Sequence, residues 1–137
     1  MESHLSINEV AARTGLSAHT LRYYERAGLI APVARAPGGQ RRYATSDLEW
    51  IGFLLRLRET RMSIGHMQVF ARLRGEGTGS TPERRQMLES HLVEVEASIE
   101  AMQRAARALQ AKIEHYRTIE ASLQTATQTT GRKAPCP

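Results

Sequence analysis

The amino-acid sequence predicts a mainly α-helical chain with a small β-hairpin in its first half and one long helix in its second. Three observations carry this. Serine caps and glycine stops mark short helices before residue 30, prolines and glycines interrupt the chain between 30 and 44, and an apolar seam runs from Leu88 to Tyr116 in steps of four and three.

Ser6-Ile7-Asn8-Glu9 is a capping box, in which serine and glutamate satisfy each other's backbone donors, and Gly15 closes the short helix that follows. Ser17 caps a second helix over Ala18 to Arg26, with Leu21 facing inward and Gly28 as its stop. Two short helices joined by a tight turn are the pattern of helix-turn-helix DNA readers. Pro32, Pro37, Gly38 and Gly39 then break helical character, and segments around Val33 and Arg41 to Tyr43 are expected to pair as a hairpin, the wing of a winged helix-turn-helix.

Ser46-Asp47-Leu48-Glu49 reads as a second capping box, opening a helix to about Thr60 whose Leu48, Trp50, Ile51, Phe53, Leu54 and Leu55 make a broad apolar face. A shorter helix follows from Ser63, with Ile64, Met67, Phe70 and Leu73 apolar, and Gly75, Gly77 and Gly79 read as a flexible break. Pro82 suits a first helical turn, and no further Gly or Pro appears until Gly131. Along this stretch Leu88, Leu92, Val95, Ile99, Met102, Ala106, Leu109, Ile113 and Tyr116 form an a/d seam. So narrow a stripe, on a helix roughly 60 Å long at 1.5 Å per residue, is best buried by a partner helix. The expected organisation is a DNA-binding domain over 1–75, a dimerisation helix over 80–123 and a disordered Thr- and Gln-rich tail over 124–137.

Charge and cysteine content narrow the function. The net charge of +5 lies wholly in residues 1–75, which hold 11 arginines against 6 acidic residues and no lysine, while 76–137 balance to zero. Arginine is the side chain best suited to planar contacts with phosphate and guanine, so nucleic acid is the leading partner. Cys136 is the single cysteine, which excludes an intrachain disulfide and a multi-thiolate metal site within one chain. No run approaches the roughly 18 apolar residues of a membrane span, and the start does not resemble a signal peptide, so a cytoplasmic, nucleoid-associated protein is expected. No nucleophile-base pair, phosphate loop or metal cluster is visible, so no catalytic residue is assigned and an enzyme is not expected.

Thr20-Leu21-Arg22-Tyr23-Tyr24-Glu25, followed by Gly28-Leu29 and by Gly39-Gln40-Arg41-Arg42-Tyr43, closely resembles the signature of the MerR family of transcriptional regulators. The likeness continues through Leu48, Trp50, Ile51, Leu57, Arg58 and Met62-Ser63, and Lys112-Ile113-Glu114-x-Tyr116 is similar to the end of the dimerisation helix in the small, non-metal branch. The resemblance implies a homodimer with antiparallel long helices on a pseudo-palindromic promoter whose spacer is too long. The dimer distorts that spacer so that RNA polymerase engages both promoter elements. Such bending costs of order 1–6 kcal/mol, so helix and wing must hold many phosphates as well as read bases.

Within that frame Arg22 and Tyr23 are expected in the major groove, where arginine bridges guanine O6 and N7. Tyr24 is assigned to DNA with packing between helix and wing as its rival, since adjacent helical residues face about 100° apart. Arg41 and Arg42 alternate across the wing, so one of them faces DNA, Arg41 matching the family's position. Tyr43 is expected to bury its ring and present its hydroxyl. Ser17, His19 and Thr20 reach phosphates from the helix start, His19 being equally at home as a plain surface residue. Arg61 stands where the family usually has glycine, at a helix end where left-handed geometry costs arginine something like 1 kcal/mol; either the turn is rearranged or Arg61 gains a phosphate.

Arg56 stands where the thiol- and aldehyde-responsive members carry cysteine, which speaks against that sensing chemistry here. The metal sensors place cysteines near both ends of the dimer helix, where this chain has Ser80, Thr81 and the Thr/Gln tail. His4, His66, His91 and His115 are scattered, so no metal and no other cofactor is expected. A small organic effector, if one acts, would sit near Met67, Phe70 and the partner's Tyr116. The competing functions are an architectural DNA-bending or excision-type protein without an effector, and a coiled-coil adaptor with a basic head.

Overall fold

The computed structural model describes residues 4–132, with side chains through residue 128. In chain order the elements are β1 (His4–Leu5), α1 (Ile7–Thr14), α2 (Ala18–Arg26), β2 (Ala34–Arg35), β3 (Arg41–Ala44), α3 (Thr45–Glu59), α4 (Ile64–Gly75), a single 3-10 turn (Thr78–Ser80) and α5 (Thr81–Arg132). The chain divides into two units after Leu92, so the first twelve residues of α5 belong to the head and the rest stand as a unit of their own.

The first two helices form where their caps dictate. Glu9 N–H donates to Ser6 Oγ at 3.2 Å while Ser6 N–H donates to Glu9 Oε1 at 3.4 Å, the reciprocal arrangement of a capping box. Gly15 ends α1 at φ 81°, a left-handed conformation that costs glycine nothing, and its N–H reaches the Ala11 carbonyl at 3.0 Å. Thr20 N–H donates to Ser17 Oγ at 3.0 Å to open α2. The apolar faces of both helices, Val10 and Leu21, are fully buried in a core completed by Leu16, Leu29, Ile51, Leu54, Met67 and Phe70. Trp50 joins that core and donates its indole N–H to the Leu29 carbonyl at 2.9 Å, satisfying the one polar group a buried tryptophan brings.

The expected hairpin is present, pairing Ala34 with Arg42 and Arg35 with Arg41 in antiparallel register. A third strand joins it, because His4 and Leu5 pair with Ala44 and Tyr43 on the far side of β3. Two residues are too few to show a period of two, which is why β1 has no signal in the sequence.

Three expectations are corrected. Ser46, expected to cap α3, lies inside its first turn. The cap is Ala44, whose N–H donates to Asp47 Oδ2 at 3.0 Å, and the extended end of β3 already delivers Ala44 at φ −77° and ψ 152°. The Gly75, Gly77 and Gly79 segment is an ordered connector rather than a flexible break. The buried Ser80 hydroxyl donates to the Leu73 carbonyl and lies 3.0 Å from that of Gly77, while Arg84 Nε donates to Ser80 Oγ at 3.1 Å and its Nη2 to the Gly77 carbonyl at 3.0 Å. Thirdly, α5 does not stop near 123 but runs through the Thr- and Gln-rich stretch to Arg132. Thr127 turns its hydroxyl back to the Leu123 carbonyl at 2.9 Å, so the helix itself absorbs a polar group that composition alone assigned to a disordered tail. The remaining tail, with Cys136, lies outside the described residues.

Candidate nucleic-acid interface

Helix α2 presents two faces. Leu21 and Tyr24 point into the core, while His19, Arg22 and Tyr23 are exposed, Tyr23 at 44%. Ser17 is exposed at the helix start and Thr20 half-buried, with the Ser17 hydroxyl donating to Thr20 Oγ1 at 2.9 Å, so the cap occupies part of the polar surface expected to meet phosphates. Of the paired tyrosines, then, only Tyr23 is offered outward. Tyr24 is 4% exposed, and the packing role that rivalled DNA contact is the one its ring fills, because the step between neighbours turns it inward.

The hairpin lies beside this helix. Arg42 is exposed, whereas Arg41 turns back and donates its Nε to Glu25 Oε2 at 3.0 Å. Glu25 Oε1 also accepts the Val33 N–H at 3.3 Å, so one carboxylate of α2 touches both legs of the hairpin. The Arg41 and Glu25 side chains are only 17% and 14% exposed. Beyond them Arg35 Nη1 donates to the Gly39 carbonyl at 2.9 Å, bracing a tip where Gly39 takes φ 83°. A cleft of about 250 Å3 lies among the start of α1, Arg22 of α2 and the hairpin, and Arg22, Arg35 and Arg41 all line it together with Asn8 and Gln40. Three guanidiniums around one cleft favour an anion.

Tyr43 corrects the sequence-based expectation. It is completely buried, and its hydroxyl is sealed from solvent with no hydrogen-bond partner among the described residues, so it presents nothing to a ligand. The hydroxyl was expected at the surface because tyrosine usually keeps its polar end wet; here the whole side chain is taken into the core, on a strand that packs against α1 and α3. Burial, then the nearby Glu25 carboxylate, push its pKa above the ordinary 10.0, against the opposing influence of Arg41 and Arg22.

Arg61 lies exposed in the turn between α3 and α4 at φ 66°, the single non-glycine residue with positive φ among those described. The glycine-like geometry is therefore kept, not rearranged, and Met62 N–H closes the turn on the Leu57 carbonyl at 2.9 Å. Arg56, in the place of the sensor cysteine, pairs on the surface with Glu59 at 2.7 Å.

The seam of α5 is not uniform. Leu88 is half-buried and packs against the head's core, and Val95 is half-buried; Leu92, Ile99, Met102, Ala106, Leu109, Ile113 and Tyr116 are exposed, and Leu123 extends the row. Of the residues named for an effector pocket, Met67 and Phe70 are 2% and 5% exposed and belong to the core. Phe70 also lines a groove of about 410 Å3 with Arg84, Arg85, Leu88 and Leu92, while Tyr116 lies in the other unit with Lys112 Nζ 5.7 Å from its ring centre. Among the described residues no three His, Cys, Asp or Glu side chains gather as metal ligands, and no helix is long and apolar enough to cross a membrane.

Glu25 and Arg35 were missed as functional candidates. Glu25 belongs to the quoted motif, yet its partner is 16 positions away, and spacing of that kind leaves no local trace. Arg35 stands in the arginine-rich half, but only the hairpin register brings it opposite Arg41.

A capped recognition helix with a basic hairpin at its side, built on one small core, defines a winged helix-turn-helix DNA-binding protein. The profile described as MerR family regulatory protein matches residues 6–43, and that described as MerR, DNA binding matches residues 48–112. An HTH-type transcriptional regulator of Haemophilus influenzae is 32% identical over 113 residues, 82% of this chain and 84% of that protein. Among solved structures, one from Listeria monocytogenes assigned to the MerR family superposes with a TM-score of 0.83 at 34% identity, covering 94% of this chain and 99% of that one. HiNmlR, described as a MerR family regulator lacking the sensor domain and bound to promoter DNA, superposes with a TM-score of 0.77 at 30% identity, covering 88% and 94%. The chain belongs to the MerR family of transcriptional regulators.

Proposed function

We propose that this regulator binds a pseudo-palindromic promoter site as a homodimer and distorts the spacer to control RNA polymerase. The observation that carries the proposal is the side-by-side placement of exposed Arg22 and Tyr23 on α2 with the arginine-lined cleft and exposed Arg42 of the hairpin. That is a surface for one base-reading element and one phosphate-gripping element on the same duplex. Promoter DNA in the HiNmlR structure supports the same partner.

In this proposal Arg22 reads a base edge and Tyr23 accompanies it, Ser17, His19 and Thr20 approach phosphates, and Arg42 and Arg61 add phosphate contacts. Residues 1–75 form the DNA-binding part. The exposed row from Leu92 to Tyr116 supports pairing of two α5 helices, antiparallel as in the family, because a monomer gains nothing by leaving so long an apolar row in water. A protein acting on promoters works in the cytoplasm, at the nucleoid. With arginine at position 56, regulation proceeds without a thiol at that place, through a small organic effector or none.

The test is in vitro transcription from the promoter beside the protein's own gene, with the spacer varied one base pair at a time. Activation confined to an over-long spacer supports the proposal. Equal output at every spacer length, with the DNA still bound, would favour a repressor or an architectural protein instead.

A further inference from the structure

We propose that Glu25 is a positioning residue that sets the hairpin at a fixed distance and angle from α2, so that both meet one duplex in register. This rests on the reading that α2 and the hairpin hold DNA together.

The geometry is specific. Glu25 sits in the last turn of α2 and sends one carboxylate oxygen to each leg of the hairpin, to the Val33 N–H just before β2 at 3.3 Å and to Arg41 Nε at the start of β3 at 3.0 Å. Arg41 pairs across the ladder with Arg35, whose guanidinium holds the Gly39 carbonyl at the tip. The path from recognition helix to wing tip is therefore continuous: charge-assisted contacts, which demand a defined geometry, stand at both ends and the β2–β3 ladder joins them.

Chain connectivity does not do this alone. Seven residues, 27–33, separate α2 from β2, and Ala31 and Pro32 among them are exposed. A partly buried ion pair adds little stability over an apolar substitute of similar shape, so its contribution here is to register rather than to folding. The wing's own DNA-facing candidate, Arg42, stands between Arg41 and the buried Tyr43, so Glu25 fixes the side of it that faces the hairpin tip while the core fixes the other.

The experiment measures binding of the full chain to a duplex carrying the promoter beside its own gene, by fluorescence anisotropy across a salt series. Arg22→Ala and Arg42→Ala come first: if neither weakens binding, it is the parent reading of the surface that fails. With that reading standing, Glu25→Gln keeps size and an acceptor for Val33 but loses the charge that holds Arg41. It is expected to bind roughly tenfold more weakly, within the range of coupled neighbours, with a salt slope flatter by about 0.9, and, because Arg41 is left unpaired, to melt at a lower temperature that still lies above that of the assay. Adding Arg42→Ala to Glu25→Gln should then cost little more. Arg41→Met should reproduce the loss, and the Glu25→Gln/Arg41→Met double variant should be no worse than either alone.

Wild-type binding by Glu25→Gln, or full additivity with Arg42→Ala, would overturn the proposal. So would a further loss on adding Arg41→Met, which would mean that Arg41 grips the duplex directly. Should Glu25→Gln fail to fold, Arg41→Met and its combination with Arg42→Ala decide the matter; failure of both single variants to fold would assign the pair to stability and also overturn it.

Discussion

Thr60 Oγ1 and His91 Nε2 lie 2.7 Å apart, joining the end of α3 to α5 across 31 positions of sequence. The same hydroxyl also lies 2.8 Å from the Arg56 carbonyl and 3.2 Å from that of Leu57, so it ties the last turn of α3 to the histidine. Thr60→Val, which keeps the shape, should lose about 0.5–1.5 kcal/mol for each hydrogen bond removed, measured by urea denaturation. His91→Ala should cost little more in the Thr60→Val background. Full additivity would show that the residues do not act as a pair.

Tyr43 offers a sharper test, because sequence and structure assign its hydroxyl opposite fates. Buried without a partner, the hydroxyl carries a desolvation cost, so Tyr43→Phe should leave stability unchanged or raise it by on the order of 1 kcal/mol, with DNA affinity untouched. A drop in affinity would place the hydroxyl on DNA. The pH dependence has a definite sign. Its folded pKa is raised above 10.0, so above pH 10 the unfolded chain releases a proton that the native state still holds, and stability falls as pH rises. Tyr43→Phe should remove that share of the alkaline loss in melts between pH 9 and 11, and an identical profile for both proteins would contradict it.

What was legible in the sequence was whatever is decided within one turn of chain. The Ser6 and Ser17 caps, the Gly15 and Gly28 stops and the inward Leu21 all stand where local chemistry put them. The start of α3 was misassigned by two residues because Ser46 and Asp47 both suit a cap, and only pairing of β3 shows that Ala44 already holds cap geometry. The Glu25–Arg41 pair, the strand at His4–Leu5 and the Ser80–Arg84 network needed the fold before they could be seen. Tyr43 shows the limit most directly, since the burial of its ring was read correctly while that of its hydroxyl, which depends on how the core closes around β3, was not.

Arg61 is held at φ 66°, where glycine is at ease, so Arg61→Gly should stabilise the fold by about 1 kcal/mol in denaturant titrations. If the side chain also holds a phosphate, the same variant should bind every duplex more weakly and flatten the salt slope by about 0.9. The two measurements together separate strain from function. A more stable protein with unchanged binding would leave the arginine without a DNA role.

The apolar row of α5 remains to be tested on its own terms. Ile99 and Leu109 are 52% and 66% exposed in the single chain, so an aspartate at either place meets only water in a monomer and should barely affect its folding. In a paired helix the same aspartates would sit in the seam, where an unpaired charge is costly. Ile99→Asp with Leu109→Asp should therefore halve the mass measured by analytical ultracentrifugation while the head keeps its melting transition. Tight binding to a two-half-site duplex should vanish with the dimer, since each half-site alone holds few phosphates. A monomeric variant that still bound such a duplex at wild-type affinity would remove dimerisation from the mechanism.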